Sequence, residues 1–307
     1  MRSMRDVVDS SAHSALYFGE TRDEWWNVDQ LRLVLARFGL GAGGAGLDVL
    51  DVGCGVGHWG RLLARALERP LRLVGIDREA EWVAEAFARA RDLPGHFHYQ
   101  VGDAAHLPFP DASFDLVTCQ TVIIHLADPR LALAEWTRVL RPGGRVVVAE
   151  PNNLATHAAR LVDSTAIDVD AALRELRFIA VCERGKAALG LGFNSIGELV
   201  PGLLAAAGLT PLGSALCDRV APLVPPYSSA VARAEIAELE RFEASDVYCW
   251  PRAEAERYFD AGGGTAFAAE WSFVRARQSA RMAAIQAGRH VASGGSLHYL
   301  HAARRPG

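Results

Sequence analysis

The feature that most constrains this fold is a regular alternation of short apolar runs with longer amphipathic segments. The apolar runs are 47–53, 71–77, 96–103, 114–120 and 144–150. Between them lie three segments with apolar residues at helical spacing, 58–68, 79–92 and 129–140. Strands that alternate with helices pair in parallel and are covered on both faces. We therefore predict an α/β fold with a doubly wound, mostly parallel sheet, whose ligands bind at the carboxyl ends of its strands.

Beyond residue 150 the alternation is interrupted twice. It returns as a helix at 195–209 with a strand at 210–217, and again as a terminal strand at 295–305. The stretches 151–194 and 218–294 are mostly helical in pattern and too long for ordinary loops. We expect them to be helical insertions that cap the strand ends. Packing on the sheet edge, or a homodimer interface, is the alternative use of the same helices.

The chain before the first strand has its own pattern. Residues 17–40 predict one or two helices, and the glycine-rich connector 41–46 ends them. We therefore expect an N-terminal helical segment with connector at 1–46 and a main domain at 47–307. The main domain carries the insertions at about 151–194 and 218–294.

Charge and cysteine content exclude several kinds of partner. The 32 basic and 36 acidic residues give a net charge of −4 and are interleaved, so no nucleic-acid surface is expected. The five cysteines are widely spaced and lack metal-site spacing, which predicts free thiols in a reducing compartment and no bound metal.

Neither the N-terminus nor the longest uncharged stretch is typical of a membrane or secreted protein. Asp6 and Asp9 lie where a signal peptide needs an apolar core. The uncharged stretch 199–217 is interrupted by two prolines and three glycines, which predicts a helix, a turn and a strand. We expect a cytoplasmic protein with no membrane partner.

A glycine-rich loop follows the first strand and opens the first helix of the alternation. It runs from Asp51 to Gly60, where residues without side chains let backbone amides approach a ligand closely. The spacing Gly55-x-Gly57-x-x-Gly60 also satisfies a dinucleotide fingerprint, and Asp77 lies twenty residues beyond Gly57. The glycines alone therefore leave the cofactor open.

The sequence around this loop resembles the class I S-adenosylmethionine-dependent methyltransferases, of the small-molecule type found in ubiquinone and menaquinone biosynthesis. Four ordered segments carry the resemblance, at 47–57, 74–77, 102–117 and 140–152. It implies a Rossmann-like, seven-stranded sheet with an antiparallel terminal strand, and S-adenosylmethionine as cofactor. A nicotinamide-dependent oxidoreductase, a non-catalytic S-adenosylmethionine-binding protein and an enzyme that uses this cofactor for other chemistry are the alternatives.

The resemblance also implies which residues bind the nucleoside part of the cofactor. Asp77 would accept hydrogen bonds from both ribose hydroxyls, because a carboxylate has two oxygens. Asp103 would accept from the adenine amine, and the backbone amide of Ala104 would meet a ring nitrogen. A helix cap is the alternative role for Asp77, and a turn is the alternative for Asp103.

Other residues are implied for the methionine part. Gly53 and Gly55 would flank it, Asp51 would anchor the loop or reach the ammonium group, and Gln120 would lie near the sulfonium. Gly57 is assigned to the same loop, with helix packing as its alternative. For Gln120 the alternative is a turn contact.

Two residues are candidates for proton transfer to or from the acceptor. His125 lies just past the fourth strand and has an unperturbed pKa near neutrality, so it is the best-placed histidine for a general base. Glu150 ends the fifth strand and is the second candidate. A structural role is the alternative for both. We therefore expect methyl transfer to a small-molecule acceptor, with the accepting atom (O, N, S or C) left open.

Aromatic residues mark two segments, the N-terminal one, which related enzymes use as a lid over the cofactor, and the predicted cap. At the N-terminus, Tyr17, Trp25 and Trp26 would form a lid, and Arg22 would pair with the cofactor carboxylate. An ion pair with a neighbouring acid is the alternative for Arg22. The predicted cap contains Phe178, Phe193, Tyr227, Trp250, Tyr258, Phe259 and Trp271.

Overall fold

Seven strands pair into one sheet in the computed structural model, which describes residues 25–93, 95–161, 168–218 and 220–307. In chain order the strands are β1 (Leu47–Val52), β2 (Leu71–Asp77), β3 (His96–Val101), β4 (Phe114–Gln120), β5 (Leu140–Pro151), β6 (Thr210–Leu216), the separate pair β7 (Val247–Tyr248) and β8 (Trp250–Pro251), and β9 (His298–Arg304). The order in the sheet is β3-β2-β1-β4-β5-β9-β6. Strands β1 to β5 are parallel, and β9 runs antiparallel to both β5 and β6. The predicted fold class, including the antiparallel terminal strand, is confirmed.

The described helices follow the amphipathic segments of the sequence. They are α1 (Val28–Arg37), α2 (His58–Leu67), α3 (Ala80–Ala90), α4 (Pro129–Val139), α5 (Asn153–Arg160), α6 (Val169–Ala188), α7 (Val200–Ala206), α8 (Ala230–Ala244), α9 (Arg252–Ala261) and α10 (Phe267–Gln286). Short 3₁₀ turns lie at Ile123–His125 and Ile196–Leu199. None of these helices is long and apolar enough to cross a membrane.

Side-chain caps set where several helices begin. The Asn27 side chain accepts from the amides of Asp29 and Gln30 at the start of α1. Asp128 accepts from Arg130 N–H at the start of α4, and Pro129 occupies the first turn, where it loses no helical hydrogen bond. These side chains therefore satisfy backbone amides that have no partner within the helix at the starts of α1 and α4.

The contacts between residues divide the chain into two units. The sheet unit comprises Trp25–Asn152, Ile196–Asp218 and Leu297–Gly307. The helical unit contains the described parts of Asn153–Ser195 and Arg219–Ser296, with α5, α6 and α8 to α10. The sheet unit therefore holds every residue expected to bind cofactor that lies in the described part of the chain.

Five of the seven aromatic residues of the predicted cap are core residues of the helical unit. Phe178 is 1% exposed, stacks on Phe259 at 5.3 Å and lies beside Trp271 at 6.2 Å. Trp250 and Tyr258 join the same cluster. Phe193 and Tyr227 are partly exposed. These aromatics give the helical unit a core of its own, and their use as a cap stays a prediction.

The largest difference between an expected and an observed strand boundary is at β5. Strand β5 begins at Leu140, four residues before the expected start at 144, because Leu140 pairs with Phe114. The register then shifts between Phe114 and Leu116, which accommodates the Pro-Gly-Gly sequence within the strand. The Pro-Gly-Gly sequence therefore does not end the strand, because residues on both sides of it pair with β4.

Candidate active site

The loop between β1 and α2 is held close to the turn after β4. Gly53 has φ +63°, a left-handed conformation that favours glycine. A Cβ atom on Gly53 would lie 2.5 Å from Cγ2 of Val122. Because that distance is too short for any side chain, this close approach of two strand-end loops requires glycine.

Asp77, at the end of β2, fixes the glycine loop. Its Oδ2 accepts from Gly55 N–H at 2.8 Å and its Oδ1 accepts from Glu79 N–H at 3.1 Å. The residue is 7% exposed, and burial raises the pKa of its carboxyl above the usual value. The N-cap of α3 is Glu79, so Asp77 is not the helix cap that was its alternative. Each oxygen retains a lone pair for another donor.

Asp51 and Tyr99 are two buried polar residues beside the same loop. Oδ2 of Asp51 accepts from Gly60 N–H at 3.1 Å, whereas its Oδ1 has no partner among the described residues. Burial raises the pKa of Asp51 to about 8. The Tyr99 hydroxyl is also buried without a partner in the described part of the chain. A Cβ atom on Gly57 would lie 2.7 Å from that hydroxyl, so Gly57 is closely packed here, and its contact with the cofactor stays a prediction.

Asp103 lies in an exposed turn after β3. Its Oδ1 accepts from Ala105 N–H at 2.9 Å and its Oδ2 lies 3.0 Å from Nδ1 of His106. The hydrogen bond from Ala105 and the one with His106 lower the pKa of the Asp103 carboxyl. The carbonyl of Ala104 accepts from Nε1 of Trp136 at 3.1 Å. The geometry shows the turn role of Asp103, and adenine binding by Asp103 and Ala104 stays a prediction.

Gln120 ends β4 with a side chain that is almost completely buried. It is 4% exposed, and neither its Oε1 nor its Nε2 has a hydrogen-bond partner among the described residues. Buried amides normally have partners, so this amide is available to a polar ligand. The next residue, Thr121, has φ +55°, which is strained for a β-branched side chain. Such strain is typical of functional sites.

Glu150 anchors the turn that contains His125. Its Oε1 accepts from Val122 N–H at 2.8 Å and Ile123 N–H at 2.7 Å. The residue is fully buried, and burial raises the pKa of its carboxyl to about 7. His125 ends the 3₁₀ turn and is partly exposed. The structure therefore gives Glu150 a positioning contact and brings His125 to the same turn, while base function for either stays a prediction.

The aromatic residues around the loop have different surroundings. Trp59 is buried and donates from Nε1 to Oγ1 of Thr118 at 2.8 Å, which is a packing role. The ring centroids of Trp26 and Trp59 are 5.7 Å apart. Those of Trp25 and His298, the first residue of β9, are 4.7 Å apart. Tyr17 and Arg22 lie outside the described residues.

This arrangement suits a polar ligand that carries hydroxyl and amino groups. Carboxylates at the ends of β1 and β2, an unpartnered amide at the end of β4 and a glycine loop meet at one edge of the sheet. Tyr99 was not identified from the sequence, because it is one of several residues in the apolar run that predicts β3 and no motif marks it. No cluster of three or more potential metal ligands occurs in the described ranges.

Comparison with known proteins identifies the family of the central segment. Residues 50–148 match a family described as a methyltransferase domain. Methyltransferase GfsG of Streptomyces halstedii is 39% identical over 106 residues, which cover 34% of this chain and 38% of that protein. Demethylmenaquinone methyltransferase of Lactiplantibacillus plantarum is 38% identical over 104 residues, 33% of this chain and 44% of that protein. The chain therefore spans less than half the length of either relative.

Solved structures with low sequence identity to this chain share its fold. A structure of phosphoethanolamine N-methyltransferase 2 from Haemonchus contortus superimposes with a TM-score of 0.50 at 18% identity. The superposition covers 100% of this chain and 61% of that chain. At this identity the likeness concerns the fold.

Proposed function

We propose that this chain, whose residues 50–148 form a class I S-adenosylmethionine-dependent methyltransferase domain, transfers a methyl group to a small-molecule acceptor. The observation that carries the proposal is the meeting of Asp77, the glycine loop and Gln120 at one edge of the sheet. Gln120 supports it most directly, because a buried amide without partners among the described residues fits a ligand with polar groups.

Asp77 would hold the ribose of S-adenosylmethionine, and Gly53, Gly55 and Asp51 would surround its methionine part. Bound there, the cofactor supplies an electrophilic methyl group on a positively charged sulfur. The chain's own part is to orient this group and exclude water, because methyl transfer requires the nucleophile, carbon and sulfur in line. Gln120 would orient the methionyl part, and Asp103 with Ala104 would bind the adenine.

His125 is the better candidate for a general base. It is partly exposed at the end of the Ile123–His125 turn. Glu150 already holds the amides of that turn, so its contribution would be to position His125 rather than to accept a proton. An acceptor with a neutral amine or a thiolate would need no base, whereas a hydroxyl would need one.

Selection of the acceptor would fall to the helical unit and to the segment that includes Trp25 and Trp26. The helical unit would act as a cap, and residues 1–46 would act as a lid with Arg22 on the cofactor carboxylate. Function resides in the site rather than in the fold, so these segments would determine which acceptor is methylated. We also propose that the protein forms a homodimer. Light scattering should then give twice the mass of one chain.

Calorimetry tests the proposed cofactor against the alternatives. Titration with S-adenosylmethionine and S-adenosylhomocysteine should give saturable heats, and titration with NAD should give none. Binding of NAD alone would reverse the proposal in favour of the oxidoreductase. Incubation with methyl-labelled S-adenosylmethionine and a panel of phenols, amines and thiols should then label a product. Cofactor binding without label transfer to any acceptor would favour the non-catalytic alternative.

A further inference from the structure

A cysteine and a histidine of the helical unit lie in hydrogen-bond contact. The Sγ atom of Cys249 is 3.3 Å from Nε2 of His157. His157 lies on α5 and Cys249 joins β7 to β8, so the fold brings together residues that are 92 positions apart. Both side chains are partly exposed. A thiol beside an imidazole is the arrangement that activates cysteine nucleophiles.

Cys249 is held in an unusual backbone conformation. Its φ is +58°, in the left-handed region where glycine or asparagine is the usual choice. A cysteine in this backbone conformation is less favourable than glycine or asparagine would be. Strain of this kind points to a use for the side chain.

The other cysteines provide a contrast within the same chain. Cys54, Cys119 and Cys182 are buried, and burial raises the pKa of each thiol. Cys217 is partly exposed, as Cys249 is. Cys217 therefore serves as an internal control for the exposure of each protein to peroxide.

We propose that Cys249 and His157 form a peroxide-reactive thiol site. His157 takes the thiol proton, and the thiolate attacks one oxygen of hydrogen peroxide. The S–O bond forms as the O–O bond breaks, so the sulfur is oxidised to a sulfenic acid and the peroxide is reduced. The departing hydroxide takes the proton from the imidazolium and leaves as water.

Oxidation would change the packing of the helical unit. Cys249 packs against that unit's aromatic core, and its neighbours Tyr248 and Trp250 are 6% and 2% exposed. A sulfenic oxygen adds a polar group beside these rings, which disfavours their burial. The pair therefore couples the oxidation state of the surroundings to the stability of the helical unit.

The experiment oxidises the full chain with hydrogen peroxide, traps sulfenic acid with dimedone and reads each cysteine by peptide mass spectrometry. Cys249 in the unmutated chain should react about tenfold faster than Cys249 in His157→Gln, because the thiolate is the reactive form. The rate at Cys217 should be the same in both proteins. Equal rates at Cys249 in the two proteins would overturn the proposal.

A spectroscopic measurement keeps the test decisive if His157→Gln fails to fold, as judged by circular dichroism. The ultraviolet thiolate absorbance of the unmutated chain should exceed that of Cys249→Ser by about one thiolate at neutral pH. No difference between the two proteins would refute the activated thiol. Neither measurement uses a methyl donor, so its result is independent of the proposed methyltransferase function.

Discussion

The carboxylate of Asp77 and the backbone amide of Gly55 tie the ends of two neighbouring strands together. Oδ2 of Asp77 accepts from Gly55 N–H at 2.8 Å, while Oδ1 holds Glu79 N–H at 3.1 Å. The side chain assigned to the ribose therefore also shapes the loop assigned to the methionine part. Loss of the Asp77 carboxylate should act on both halves of the cofactor site.

Asp77→Ala should weaken S-adenosylhomocysteine binding at least tenfold, because each charge-assisted hydrogen bond contributes about 1.5 to 3 kcal/mol. Isothermal titration calorimetry measures the change. Asp92→Ala is the matched control, since Asp92 is exposed beyond the end of α3 and should leave affinity unchanged. Unchanged affinity in Asp77→Ala would contradict the assignment of Asp77 to the ribose.

Gln120→Leu should raise the melting temperature of the cofactor-free protein and weaken cofactor binding about tenfold. The substitution removes a buried amide that has no partner among the described residues, and such a group costs about 1 to 3 kcal/mol. Differential scanning calorimetry and titration give the two quantities.

Thr118→Val is the control for Gln120→Leu on the same face of β4. Oγ1 of Thr118 accepts from Trp59 and donates to the carbonyl of Val147 at 2.7 Å, so its loss should lower the melting temperature. If Gln120→Leu is destabilising to the same degree, Gln120 has structural partners and its assignment to the cofactor fails.

Gly53→Ala should destabilise the protein and abolish measurable cofactor binding, because its Cβ would overlap Val122 at 2.5 Å. Gly143→Ala is the control, because it introduces the same kind of backbone strain without a steric overlap. Gly143 also has positive φ, +77°, but a Cβ atom added there would have no neighbour within 4 Å among the described residues. Chemical denaturation should show a smaller loss in Gly143→Ala. The double variant Gly53→Ala/Val122→Ala should recover part of the stability, and no recovery would contradict the overlap.

Glu150→Gln should flatten the dependence of stability on pH. Burial raises the pKa of Glu150 from 4.5 to about 7, so the folded state holds a proton that the unfolded state releases. Its favourable contribution is full below about pH 4.5 and is lost as the pH rises to about 7, by an amount of order 3 kcal/mol. Glutamine keeps an acceptor for the amides of Val122 and Ile123.

Urea denaturation of both proteins at about pH 5 and pH 8 measures this difference. The unmutated chain should lose more stability between the two values than Glu150→Gln does. Asp51 titrates in the same direction in both proteins, so the comparison isolates Glu150. Parallel pH profiles would show that Glu150 does not change its protonation on folding.

The sequence was sufficient to predict the sheet and the placement of Asp77 and Gln120 at strand ends. Strands β2 and β4 have the expected bounds, 71–77 and 114–120, because clear turn signals flank their apolar runs. Periodicity determines which residue ends a strand, and parallel pairing then brings those ends to one edge. This part of the site follows from local pattern and topology.

Which residues each side chain contacts in the folded protein could not be predicted in the same way. Glu150 was recognisable as an acid at a strand end, but its contact with the amides of Val122 and Ile123 depends on the path of the turn after β4. Tyr99 lies beside Gly57, and Cys249 lies beside His157, although each pair is distant in the sequence. Such contacts depend on three-dimensional packing, which a periodic pattern does not encode.

The positions at which the helical unit interrupts the chain bear on how this protein diversifies. Its segments Asn153–Ser195 and Arg219–Ser296 begin and end outside the main-sheet strands, and the region matched by the methyltransferase family, 50–148, ends before the first of them. Codons can therefore be gained, lost or exchanged in either segment without shifting the register of any pair in the main sheet. Natural variation in length should concentrate there, and the glycine loop should change slowly.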